Sequence, residues 1–203
     1  MTHAVDILPP AAAPARRIQV RGLVQGVGFR PHVYRCAQRF GIEGSVANGP
    51  EGVVIEARGQ NLDAFVAAVR DELPALARID SLVEMPLAGA DFPAQENPGP
   101  VGFHIGETRA GIVNGAAIPA DTAICSRCLR ELFDTADRRY LHPFIACCDC
   151  GPRYSMSRSL PYDRATTSMA DFALCAACER DYSDPGSRRF HAEPVACHDC
   201  GPV

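Results

Sequence analysis

Hydrophobic and polar positions along the first half of the chain predict a small α+β unit. "RIQVRGLV", residues 17–24, alternates as a strand does. "FRPHVYRCAQRF", residues 29–40, places Phe29, Val33, Cys36, Ala37 and Phe40 on one helical face and stops at Gly41, a residue suited to a helix C-terminus. "GSVANG" and "GVVIEARG" read as two strands around a turn at "NGPEG". "NLDAFVAAVRDEL" carries Leu62, Phe65, Val66, Val69 and Leu73 at helical spacing, with Asn61 as N-cap. "IDSLVEMPL" is a further strand, and "VGFHIGE" sets Val101, Phe103 and Ile105 against Gly102, His104 and Gly106. The order is β-α-β-β-α-β, with the last strand shared between two segments or joined by a fifth. That order predicts a ferredoxin-like sandwich, two amphipathic helices covering one face of an antiparallel sheet.

Composition adds boundaries. The chain has 203 residues, and residues 1–15 are an Ala/Pro-rich tail without the basic start and apolar core of a targeting segment. The α+β unit is expected over 16–107, a linker over 108–120 and a second unit over 121–203. No run approaches membrane-spanning length. All twenty basic residues are Arg and the net charge is -4, which argues against a nucleic-acid binder needing a cationic face. Nine of the ten cysteines follow residue 120. Such clustering, with no secretory signal, points to reduced thiols in a cytoplasmic setting.

The segment "VQGVGFR" joins the first strand to the first helix and has no proline from Gln25 to Arg30. It offers free backbone N–H groups at a helix N-terminus, Gly26 and Gly28 to curl the chain, and the Arg30 fork beside them, a fit for a phosphate or carboxylate. The same residues would also serve a plain strand-to-helix turn with a solvated arginine. The loop is neither a dinucleotide nor a P-loop fingerprint.

The second unit is an internal duplication with a period of fifty residues. Cys125-x2-Cys128-x18-Cys147-x2-Cys150 is followed, after 24 residues, by Cys175-x2-Cys178-x18-Cys197-x2-Cys200. "DRRYLHPFIACCDCGP" aligns with "SRRFHAEPVACHDCGP" without a gap. Each Cys-x2-Cys turn converges two sulfurs on one ion, and two turns complete a tetrahedral thiolate site. The expectation is two structural zinc ions, paired sequentially because a unit that binds its own ion can be copied whole; crossed pairing, and iron in the same ligand sets, stay open. Cys148 and its counterpart His198 read as non-ligands, Cys36 as a core thiol, and His142 and His191 as scaffold or surface groups.

The pair "GLVQGVGFR" and "GIEGSVANGPEGVVIEARG" resembles the acylphosphatase signature. The resemblance implies that Gln25, Gly26, Val27, Gly28 and Phe29 cradle a phosphate, that Arg30 binds its oxygens and that Asn48 orients the attacking water. Without it, Asn48 is a turn residue. Both Arg30 and Asn48 are expected to be replaceable without loss of the fold. Glu51 stands before Gly52 where many acylphosphatases have aspartate.

With "CGPRYS", "PYDRATTSMADF" and the duplicated cysteines, the whole chain from residue 16 resembles the HypF family of carbamoyltransferases that mature [NiFe] hydrogenases. In that family an acylphosphatase-like domain releases carbamate from carbamoyl phosphate, and later domains adenylate it with ATP and pass it to the C-terminal cysteine of HypE. The resemblance implies an N-terminal segment without those later domains. The alternatives are a free-standing acylphosphatase with a zinc-binding docking module, or a docking module without catalysis.

Overall fold

The computed structural model describes residues 13–88, 92, 102–108 and 118–202. Most of the expected tail and linker, and Val101, lie outside them.

The alternating segments form a five-stranded sheet in the order β4-β1-β3-β2-β5. β1 (Ala15–Leu23) runs antiparallel between β3 (Gly52–Arg58) and β4 (Arg78–Leu87), setting Ile18 opposite Ile55 and Val20 opposite Val53. β2 (Glu43–Gly49) pairs with β3 through a two-residue turn, Pro50-Glu51, between Gly49 and Gly52. The four antiparallel strands are those of the expected sandwich. β5 (Phe103–Ile105) is a fifth strand, added parallel to β2 with Phe103 opposite Gly44.

Because side chains alternate across a strand, Ile18, Val20, Val46, Val53, Ile55 and Ala57 share one face. They are buried under α1 (Phe29–Phe40) and α2 (Leu62–Asp71), each large side chain contributing about 1.5 to 3 kcal/mol on burial. α1 ends at Gly41, which takes the left-handed conformation and donates to the Ala37 and Gln38 carbonyls. Asn61 stands at the N-cap position of α2 but makes no capping hydrogen bond. Its amide donates instead to the Phe40 carbonyl at 3.1 Å, so it ties the end of α1 to the start of α2.

Sequence periodicity gives α1 one buried face, yet Arg30, Pro31, His32 and Tyr34 are buried as well. Part of the reason is the second unit, which covers the N-terminal half of α1. Phe190 is a member of the sheet unit's own core, its ring 5.2 Å from Tyr34 and nearly edge-on. The second unit is otherwise short on regular structure. It has two eight-residue helices, α3 (Ser126–Phe133) and α4 (Ala176–Ser183), and two 3-10 turns, Arg164–Thr166 and Ser168–Asp171.

Candidate active site and metal centres

The loop after β1 is held in a tight curl by Gly26 and Gly28, whose φ angles of 69° and 73° are left-handed. A side chain there would be strained, and it would also press on the second unit, 3.1 Å from the Tyr162 ring at position 26 and 3.2 Å from Cys148 Cβ at position 28. The N–H groups of Gly26, Val27 and Gly28 donate to no described backbone carbonyl outside the regular elements, which leaves them available to an anion.

Gln25 is buried beside this loop. Its amide donates to the Gly49 and Gly52 carbonyls at 2.9 and 2.8 Å, fastening the loop to the β2–β3 turn, and its Oε1 accepts from the Tyr162 N–H at 2.8 Å. Gln25 is thereby a brace of the loop. Asn48, fully buried at the end of β2, donates through Nδ2 to the Tyr162 carbonyl at 2.6 Å. A carbonyl only accepts, so this contact fixes which end of the amide is which. Asn48 Oδ1 is then a buried acceptor with no hydrogen-bond partner.

Arg30 differs from the solvated arginine that the loop alone would allow. It is 7 % exposed, with its Nη2 2.6 Å from Glu193 and its Nη1 3.6 Å from Asp163. Burial opposes its charge, but the two carboxylates outweigh burial and hold the guanidinium above its ordinary pKa. At Glu193 burial dominates and pushes the carboxyl up from the usual carboxylate range. The Tyr182 hydroxyl and the Arg164 N–H hold the far oxygen of Glu193, each at 3.0 Å.

Replacing Arg30 by a neutral residue would leave the buried Glu193 carboxyl without its cation, so its removal is expected to cost stability as well as activity. The same holds for Asn48, whose removal leaves the Tyr162 carbonyl unpaired.

Between loop and second unit lies a cavity of about 20 Å³ lined by Gly26, Gly28, Arg30, Arg153, Tyr162 and Glu193 among others. It is room for about one water molecule. Arg153, which sequence reasoning did not single out, is 1 % exposed, and the hydrogen-bond partners of its guanidinium are carbonyls and no carboxylate. It donates to the carbonyls of Gly26, Cys147, Cys148, Cys150 and Pro152. One guanidinium therefore joins the loop after β1 to the turn that carries Cys147 and Cys150.

The eight cysteines gather as two sets, Cys125, Cys128, Cys147, Cys150 and Cys175, Cys178, Cys197, Cys200, the sulfurs of each within 4.8 Å of one another. This is the sequential grouping. Sulfur separations of 3.9 Å (Cys125 to Cys147), 3.8 Å (Cys147 to Cys150), 3.7 Å (Cys175 to Cys197) and 3.8 Å (Cys197 to Cys200) are far too long for disulfides. They match the edge of about 3.8 Å that a tetrahedron of sulfurs around zinc requires at a Zn–S distance of roughly 2.3 Å.

The arginine pairs of the duplication cross over. Arg188 donates to Cys128 Sγ at 3.4 Å and Arg189 to Glu131 at 2.6 Å and the Ala146 carbonyl at 3.0 Å. Fifty residues earlier, Arg138 donates to Cys178 Sγ at 3.3 Å and Arg139 to Asp181 at 2.7 Å and the Ala196 carbonyl at 2.8 Å. Each repeat thus lends its guanidinium groups to the other repeat's sulfurs, the placement that four clustered thiolates need.

Cys148 stands apart from both sets and donates to the Phe190 carbonyl at 3.2 Å, burial pushing its thiol up to about 12. His198 binds the Tyr140 carbonyl through Nε2 at 2.8 Å.

The comparisons follow this division. Residues 16–92 match the acylphosphatase family model, and residues 124–157 and 174–203 match the HypF finger. An acylphosphatase of Latilactobacillus sakei is 42% identical over 76 residues, which are 36% of this chain and 83% of that protein. By its sheet unit, the chain belongs to the acylphosphatase family. As a whole it is a homologue of the HypF carbamoyltransferases. Carbamoyltransferase HypF2 of Cupriavidus necator is 51% identical over 157 residues, covering 76% of this chain and 19% of that one. The crystal structure of full-length HypF in the phosphate- and nucleotide-bound form superposes with a TM-score of 0.83 at 42% identity, over 94% of this chain and 24% of that one. The chain spans about a fifth of the length of the curated HypF relatives it matches. No helix among the described residues is long and apolar enough to cross a membrane.

Proposed function

We propose that the sheet unit hydrolyses carbamoyl phosphate, and that this step feeds carbamate to an ATP-dependent carbamoyl transfer onto the C-terminal cysteine of HypE by the longer proteins of this family. Water attacks phosphorus, the bond to the carbamoyl oxygen breaks, and carbamate, hydrogen phosphate and a proton result. An acyl phosphate is already activated, so positioning and charge stabilisation outweigh the need for a strong base. The N–H groups of Gly26 to Phe29 and the Arg30 fork hold the phosphoryl oxygens, and Asn48 Oδ1 accepts from the attacking water. The observation that carries this reading is that orphaned Asn48 oxygen, its amide fixed on the carbonyl of Tyr162, whose N–H is held in turn by Gln25 at the start of the loop.

The two four-cysteine sets hold one structural zinc ion each, supplying fold and no step of the reaction. The chain divides into 16–107 and 121–203 around a linker, and it works in the cytoplasm. The cavity must open by outward movement of its finger wall for a tetrahedral anion to enter. Carbamoyl phosphate hydrolysis by the 203-residue chain tests the reading. Turnover that is lost in Arg30→Lys, which keeps a cation for Glu193 but not the fork, supports it. No turnover overturns it in favour of a docking module, and turnover untouched by Arg30→Lys overturns the role given to the Arg30 fork.

A further inference from the structure

The two repeats agree at the residues that build the metal frame and differ at those that face the anion loop. Arg138 and Arg188, Arg139 and Arg189, Asp149 and Asp199 and the eight cysteines are equivalent across the fifty-residue period. Cys148, Arg153, His191 and Glu193 have His198, Val203, Leu141 and Pro143 as their counterparts, and all four line the cavity at the loop. A duplicated frame has no need of these departures. Their common location gives them a common purpose at the loop.

Resting on the proposed hydrolysis, we infer that the finger unit is a working part of the anion site and that Glu193 is a positioning residue for Arg30. Glu193 comes from a segment 163 residues further along the chain, yet its carboxylate meets Arg30 Nη2 at 2.6 Å. It is itself held on its second oxygen by the Tyr182 hydroxyl and the Arg164 N–H. Glu193 is the hydrogen-bond partner of Nη2, while Nη1 is 3.6 Å from Asp163, beyond hydrogen-bond range. Glu193 therefore fixes one corner of the guanidinium and leaves donors on the rest of the fork for phosphoryl oxygens. A long side chain pinned this way spends less conformational freedom when the anion arrives. The sheet unit by itself has the arginine but nothing of this kind to aim it.

The test uses the whole 203-residue chain, carbamoyl phosphate as substrate and inorganic phosphate as competitive probe. Glu193→Gln keeps the volume and removes the charge. It is expected to raise both the KM and the phosphate inhibition constant about tenfold or more, the scale of one charge-assisted hydrogen bond, with a smaller change in kcat. Glu193→Asp should recover part of the loss, and metal content should match the parent chain in both. Should Glu193→Gln fail to keep its metal, Tyr182→Phe removes only the hydroxyl that braces Glu193, and a smaller shift in the same direction is expected. Unchanged or tighter phosphate binding in these variants overturns the inference, the second result making Glu193 a competitor of the anion. Loss of turnover in Arg30→Lys alongside unaffected Glu193 variants would sink this inference alone, whereas turnover untouched by Arg30→Lys sinks the functional reading of Arg30 beneath it.

Discussion

The Asn48 side chain reaches across from the sheet unit and donates to the Tyr162 carbonyl of the finger unit at 2.6 Å, leaving its own oxygen unpaired. Its two ends therefore have separate consequences. Asn48→Ala should lower carbamoyl phosphate turnover by at least tenfold and also cost about 1 to 3 kcal/mol of stability, because a buried carbonyl loses its donor. Asn48→Asp offers Tyr162 no donor at neutral pH and should be destabilised similarly. Denaturant midpoints beside initial rates separate the two effects, and a variant inactive at full stability would contradict the structural half.

Arg188 lies in the second repeat but touches the first repeat's Cys128. Arg188→Gln should loosen the ion held by Cys125, Cys128, Cys147 and Cys150, by roughly 10- to 100-fold in affinity, with the other set spared. Arg138→Gln should do the reverse. Alkylation of the metal-loaded chain followed by mass spectrometry reads this directly. Modification of the cysteines in the substituted repeat itself would refute the crossover.

Metal removal should divide the chain. The finger unit has small apolar clusters centred on its cysteines, so each ion is expected to supply on the order of 10 kcal/mol of its folding free energy. The sheet unit keeps its strands and helices, since its core is its own except for Phe190. After chelation, circular dichroism should retain the sheet unit's signal, and a hydrophobic dye should bind where Phe190 withdraws from Tyr34. Elemental analysis should give two ions before chelation, and one or none would be against the assignment.

Stability should fall as pH drops below about 6.5, the ordinary histidine value. Burial, reinforced by the Arg30 charge, pushes the His191 imidazole down to about 4, and burial does the same to His142. Between about 4 and 6.5 the unfolded chain binds protons at these rings that the folded chain refuses, so stability rises with pH across that window, by at most about 1.4 kcal/mol per unit for each ring. His191 has a φ of 49°, a left-handed conformation that asparagine tolerates better than most residues other than glycine. Denaturation of His191→Asn from pH 7 to pH 5, with metal content followed alongside, should show a shallower fall than the parent chain. Equal slopes would remove His191 from the account.

Much of this architecture is legible along the chain because it is local. Alternation gives the strands, the spacing of Phe65, Val66 and Val69 gives α2, and the doubled Cys-x2-Cys spacing gives the ligand sets. What resists reading is contact between the units. Arg30 has the look of a solvent-facing fork until Glu193 is placed against it, and the buried far side of α1 follows from residues beyond 140 that no local pattern connects to it. A signal for Glu193 did exist, as the place where one repeat holds an acid and the other a proline. Asn61 does stand at the N-cap of α2, but its side chain is engaged with the Phe40 carbonyl and makes no cap hydrogen bond, a contact between elements that the local sequence does not show.

The exchange of arginines between repeats has a consequence in symmetry. What Arg138 does for Cys178, Arg188 does for Cys128, which is the isologous relation of a two-fold dimer carried within one chain. One repeat in isolation would own four sulfurs and no guanidinium to lay against them. It would also present its own arginines to empty space. The smallest complete element is therefore a pair of repeats, and doubling the sequence in a single chain secures a twin for each copy at every concentration.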